Sequence, residues 1–145
     1  MQKIVPFLWF DGQAEAAAKF YVSIFKDSKV LSATPMSVTF QLEGQQFYAL
    51  NGGPQYKFTP AISLFVNCET QQEVDDLWGK LSASKADEQC GWLKDKYGVS
   101  WQIIPTVLGK LMGDKNPKKA NAAVQAMLKM KKIDITGLQQ AYDQG

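Results

Sequence analysis

The sequence predicts an α+β fold: two βαβββ modules forming a curved mixed sheet with a central cleft, followed by C-terminal helices. Three observations predict it. A strand–helix–three-strand grammar runs from Ile4 to Asn51 and returns after the break Asn51-Gly52-Gly53-Pro54. The segment Ile4–Tyr21 lies over Ala61–Trp78 without gaps at an offset of 57, which sets Phe20-Tyr21 on Leu77-Trp78. Finally, EGQQFYAL lies over YGVSWQII, glycine on glycine, and so puts Tyr48 opposite Gln102. On this reading the 145 residues form a single domain, with module one at 1–54, module two at 55–105 and a helical extension at 106–145.

Each element has its own signal. IVPFLWF (Ile4–Phe10) is a β-like run, and its alternation sends Leu8 and Phe10 toward a helix and Phe7 and Trp9 the other way. The helix follows, with Ala14, Ala17, Ala18, Tyr21 and Phe25 at helical spacing and Asp11 as its candidate cap. KVLSAT, SVTFQL and QQFYALN are short strands, the last two joined by a tight Glu43-Gly44 hairpin. AISLFVNC (Ala61–Cys68) opens the second module. Thr70 with Glu73 then makes a capping box ahead of Val74, Leu77, Trp78 and Leu81. Strands follow around CGWLKDKY and VSWQIIP. The last forty residues read as helices broken at Gly113 and Gly137, with Pro117 in a first turn and an apolar stripe of Ala120, Val124, Met127 and Leu128.

Composition removes whole classes of function. The chain contains no histidine, so catalytic triads and metal sites built on imidazole are excluded. A net charge of +2 gives no general pull toward nucleic acid, and Lys118, Lys119, Lys129, Lys131 and Lys132 scatter around the polar side of a helix as a solvated face. No apolar run reaches the ~20 residues that span a bilayer, so no membrane partner is expected. The N-terminus reads as a strand and not a secretory signal, which points to the cytoplasm. There, Cys68 and Cys90, 22 residues apart, match no zinc spacing and are expected to stay reduced.

The stretches PFLWFDGQAEAAAKFY, NGGP, SLFVNCETQQEVDDLW, CGWLKDKYGVSWQIIP and MLKMKKIDI together resemble the vicinal oxygen chelate superfamily of glyoxalases, bleomycin-resistance proteins and extradiol dioxygenases. Within it they are similar to the PhnB-like branch, whose label is a demethylubiquinone 3-methyltransferase domain. The resemblance implies two metal ligands on the first strand of each module, near Val5–Pro6 and Ala61–Ser63, and two acids on the last strands, at Tyr48 and Gln102. The residues standing there are neither imidazole nor carboxylate, so neither a metal nor any other cofactor is expected. The resemblance also implies a homodimer. Family members often carry a longer hairpin where this chain has only Thr34–Ser37, so either the hairpin is short or mobile residues are missing.

The expected ligand-binding cleft comprises Phe7, Trp9, Tyr48, Asn51, Ser63, Phe65, Cys90, Trp92 and Gln102. Aromatic walls with a few neutral polar groups suit a flat or apolar small molecule. Each of these residues also has a purely structural reading. Gln102 is then a buried amide satisfied by backbone, Asn51 a turn former, Cys90 an inert thiol and the aromatics core. No glycine-rich strand-to-helix turn is present to receive a nucleotide cofactor. The function expected is binding of a small molecule without metal. The alternative is an isomerase, lyase or transferase using Cys90 or a cleft carboxylate on a quinone-like or phosphonate-like metabolite.

Overall fold

A computed structural model describes residues 2–145, which divide into two compact units that part between Phe58 and Thr59. The first boundary falls four residues beyond the expected module end. Tyr56 packs edge-on against Trp9 at 4.9 Å between ring centroids, and Phe58 against Phe10 at 5.2 Å, so both aromatics belong to the first unit.

The first unit holds β1 (Phe7–Phe10), α1 (Ala14–Ile24), β2 (Lys29–Ala33), β3 (Ser37–Leu42) and β4 (Gln45–Asn51). Its mixed sheet has the order β1-β4-β3-β2, with β1 parallel to β4. One sheet face, Leu8, Phe10, Val38, Phe40, Phe47 and Ala49, is buried together with Ala14, Ala17, Ala18 and Tyr21 of α1. Fully burying a large apolar side chain such as Phe40 contributes roughly 1.5–3 kcal/mol, so this face anchors the unit. Glu43 and Gly44 have φ of +49° and +83°, the pair of positive values that a tight type I′ hairpin between β3 and β4 demands. The Thr34–Ser37 turn closes on itself. Thr34 N–H donates to the Ser37 carbonyl at 2.8 Å, and the Thr34 hydroxyl accepts from Ser37 N–H at 3.1 Å.

Asp11 does not cap α1. The cap residue is Gln13, whose side chain makes no capping bond, and the free Ala14 N–H is met by Asn51 Oδ1 at 2.9 Å from the end of β4. A long-range side chain does the work that the local sequence suggested for Asp11.

The second unit holds β5 (Leu64–Cys68), α2 (Gln71–Leu81), β6 (Trp92–Lys94), β7 (Ser100–Pro105), α3 (Thr106–Met112), α4 (Pro117–Leu128) and α5 (Ile135–Gln144). The sheet order is β5-β7-β6, with β5 parallel to β7. Two strands follow α2 where the repeat called for three. The segment between α2 and β6 is rich in Ser, Ala, Lys and Asp, without the branched and aromatic residues that favour a strand. It forms instead a single 3₁₀ turn, Lys85–Asp87, capped by Ser84. The capping box of α2 is present. Thr70 Oγ1 accepts from Glu73 N–H at 3.1 Å, while the Glu73 carboxylate reaches one residue further back, to Glu69 N–H at 2.8 Å.

The gapless repeat does not survive intact. Sheet register pairs Phe7 with Tyr48 and Phe65 with Gln102, so with Tyr48 over Gln102 the first strands align at an offset of 58. An offset of 57 would seat the half-exposed Phe65 on buried Leu8. The buried faces of the helices match at an offset of 60, Ala17 over Leu77 and Ala18 over Trp78. Insertions in the turns shift each element independently, and the side-chain parity of the strand sets which offset is real.

The C-terminal helices close on their own cluster of Leu108, Leu111, Ala123, Ile133 and Leu138, joined by Ile104 of β7. Of the expected stripe, Ala120 is buried but Leu128 is half exposed; Ala123 takes the central position. Gly137 lies inside α5 and breaks nothing. The break precedes it at Asp134, whose side chain caps α5 by accepting from Thr136 N–H at 3.2 Å. Two tethers from the body of the unit fix this segment: Cys90 N–H donates to the Met130 carbonyl at 2.7 Å, and Gly91 N–H to that of Lys131 at 2.8 Å. Among the described residues, no helix is long and apolar enough to cross a membrane.

Candidate functional site

In the first unit the face of β1 and β4 opposite α1 carries Phe7, Trp9 and Tyr48, as alternation requires. Phe7 is 58% exposed, and its ring meets Tyr48 edge-on at 5.9 Å. Trp9 is held more firmly. Its indole N–H donates to the Gly53 carbonyl at 2.9 Å, and a Cβ on Gly52 would stand 2.3 Å from its ring. Gly52 therefore makes room for Trp9, and the NGGP break folds over the indole.

Asn51 is absorbed by structure. Besides capping α1, its Nδ2 donates to the Pro35 carbonyl at 3.0 Å, tying β4 to the Thr34–Ser37 turn. Replacing it by alanine strands both partners, and an Asn51→Ala variant is expected to lose about 1–2 kcal/mol of stability in thermal unfolding. Asn51→Asp, which keeps the acceptor for Ala14, is expected to recover part of that loss.

In the second unit Phe65, Gln102 and Trp92 form one cross-strand row, paired Phe65 with Gln102 and Gln102 with Trp92. Trp101 and Ile103 are buried on the opposite face. The Gln102 amide is met by a side chain and not by backbone: Nε2 donates to Ser63 Oγ at 3.0 Å. A polar residue in the middle of a core strand is thus paired with another neutral polar residue beside an exposed phenylalanine.

A pocket of about 300 Å³ opens in this unit, lined by Cys90, Trp92, Lys94, Ser100, Asp87 and their neighbours. It brings in Cys90 and Trp92 from the expected set. Lys94, Ser100, Asp87, Gln89 and Pro60 were not expected there. Lys94 sits two residues after Trp92 and Ser100 two before Gln102, so strand alternation carried the signal. Asp87 ends the 3₁₀ turn and Gln89 lies two residues beyond it, in a stretch to which the sequence reading assigns no element.

Cys90 is half buried, with φ of +39° beside Gly91, while Cys68 is buried; both are free thiols. Burial, with the Glu73 and Glu69 carboxylates adding to it, pushes the Cys68 thiol from its ordinary value of 9.0 up to about 12. Raised above its unfolded value, this group's contribution to stability is intact below pH ~9 and is lost as pH climbs from there toward 12. Thermal unfolding across that window is expected to fall more steeply for the natural protein than for Cys68→Ala. At pH 8 a thiol reagent is expected to titrate Cys90 alone in the folded state.

A model of the family described as 3-demethylubiquinone-9 3-methyltransferase matches residues 2–104. The chain belongs to that family. The match ends where the C-terminal helices begin, so the MLKMKKIDI stretch lies outside it. Among solved structures, the PhnB protein from Bacillus cereus is 37% identical, covers 72% of this chain and 100% of its own, and has a TM-score of 0.62. A protein from Pseudomonas aeruginosa is 18% identical over 72% and 98% of the two chains with a TM-score of 0.55, which shows a shared fold. A glyoxylase/bleomycin resistance protein/dioxygenase domain from a Frankia species is 14% identical over 72% and 92%, with a TM-score of 0.49. No curated protein is significantly similar in sequence. The fold is that of the PhnB protein, the branch the sequence suggested.

Family membership raises two cofactors, and the residues suit neither. Among the described residues no group of three or more His, Cys, Asp or Glu side chains stands ready to hold a metal ion. At the two last-strand positions a phenol and an amide already bonded to Ser63 offer poor donors to a divalent cation. A nucleotide-type methyl donor would want a glycine-rich turn leading into a helix. The β1–α1 turn has one glycine, Gly12, and the first free N–H of the helix is already taken by Asn51.

Proposed function

We propose that this family member binds a small, largely flat organic molecule without a metal, as a cytoplasmic homodimer. The observation that carries the reading is the pair of neutral strand rows, Phe7–Tyr48 and Phe65–Gln102–Trp92, each on the sheet face turned away from its helix. Aromatic flanks and a carboxamide–hydroxyl pair recognise shape and hydrogen bonding. They lack a group that titrates near neutral pH, so they suit recognition better than proton transfer. Exposed Phe7 and Phe65 offer apolar area to a ligand or a second copy, and the reduced state of both thiols suits the cytoplasm.

A thermal-shift screen against metabolites, with divalent metal salts in parallel, tests the reading. A saturating ligand at 100 Kd adds about 2.7 kcal/mol and raises the melting temperature, whereas the metal salts leave it unchanged. Light scattering is expected to give the mass of two chains. Stoichiometric zinc or nickel by elemental analysis would overturn the metal-free reading, and a monomer would overturn the dimer.

A further inference from the structure

We infer that the pocket beside β6 takes the carboxylate of a small aryl acid, with its ring against Trp92. This rests on the reading that the protein binds small molecules, and it names the class. The deciding feature is the donor pair Lys94 and Ser100, both of which line the pocket. A serine hydroxyl at a pocket wall can donate to a ligand oxygen there.

The cross-strand partner of Ser100 is Lys94, directly opposite on β6. Paired residues carry their Cβ atoms on one face about 5 Å apart, so the flexible Lys94 stem and the Ser100 hydroxyl leave the sheet on the same side. Lys94 is only loosely engaged. Its Nζ stands 3.8 Å from Asp87 Oδ1, and both side chains are well exposed, so solvent screens the pair and an incoming carboxylate can replace it. One row further on, about 7 Å along the strand, stands Trp92. That spacing suits a molecule whose carboxylate and ring are separated by a short linker. The pocket, near the lower end of ligand-site volumes, admits one ring. Cys90, Gln89 and Pro60 complete it with neutral surface. The one opposing charge is Asp87, and it supplies the discriminating variant.

The test is an NMR titration of the ¹⁵N-labelled full chain with 3-phenylpropanoate, beside its neutral analogue 3-phenylpropanamide. The acid is expected to shift the Trp92, Lys94 and Ser100 amides saturably, and to bind roughly tenfold or more tighter than the amide. Lys94→Ala, an exposed substitution, erases that preference. Ser100→Ala weakens the acid, and Asp87→Asn strengthens it severalfold by removing the competitor. Equal binding of acid and amide would overturn the carboxylate assignment while leaving small-molecule binding intact. Absence of any saturable shift at Trp92 and Ser100, up to the solubility limit of the probe, would overturn the site itself. The metabolite screen then decides the wider reading independently.

Discussion

Asp95→Ala is expected to destabilise the second unit by about 3–4 kcal/mol in urea unfolding. Asp95 is 2% exposed and stands in the turn between β6 and β7. Its Oδ1 accepts from Tyr97 N–H at 2.8 Å and Val99 N–H at 3.0 Å, and its Oδ2 accepts from the Trp101 indole N–H at 2.8 Å. The carboxylate thus fixes the turn from within and ties it to the core tryptophan of β7. Alanine deprives three donors of an acceptor, the Val99 N–H and the Trp101 indole in buried bonds, and hydrogen bonds to charged groups are the costly ones to lose. Asp95→Asn keeps one oxygen for the turn but presents an amide nitrogen to the indole, so an intermediate loss is expected. An alanine variant within 1 kcal/mol of the natural protein would show that the turn holds itself. Because this turn sets the register of Lys94 opposite Ser100, Asp95→Ala is also expected to weaken any ligand held there.

Strand parity was the most legible feature of this chain. Alternation alone places Phe7, Tyr48, Phe65 and Gln102 on the open faces and Leu8, Phe10, Trp101 and Ile103 in the core, because a pleated strand offers no third choice. Caps were legible only when local. Thr70 and Glu73 lie within one turn of each other and α2 starts where they say, whereas α1 is capped by Asn51, 37 residues from Ala14. No window of sequence contains that pair. The repeat misled for a similar reason. Identical grammar in both halves implied identical strand counts, but a segment poor in strand formers, Ser82–Glu88, became a 3₁₀ turn and contributed Asp87 to the pocket instead. Nothing local marks Asp95, because its role depends on two N–H groups of the turn and on the Trp101 indole of β7.

Gly91→Ala is expected to cost about 2–4 kcal/mol, from two independent causes. The residue has φ of +90°, a conformation that L side chains rarely adopt. A Cβ would also meet Ile104 Cδ1 at 2.5 Å, Ile133 Cγ1 at 3.3 Å and the Ile103 carbonyl at 3.5 Å. The isoleucine tip at 104 can rotate away, but Ile133 and the backbone of β7 belong to the buried cluster that unites the C-terminal helices with the sheet. Relief therefore comes by moving the Met130–Lys131 segment, which the Cys90 and Gly91 N–H groups hold. Hydrogen exchange in Gly91→Ala is accordingly expected to rise at Cys90, Gly91 and around Ile133 before it rises in β5. Gly109 is the matched control. It lies in α3 with nothing within 4 Å of a built Cβ, so Gly109→Ala is expected to stabilise by about 0.5–1 kcal/mol. Equal and small effects at both glycines would mean that the C-terminal segment is not seated on β7 through Gly91. The opposite signs expected here follow only if close approach, and not glycine content, is what this position supplies.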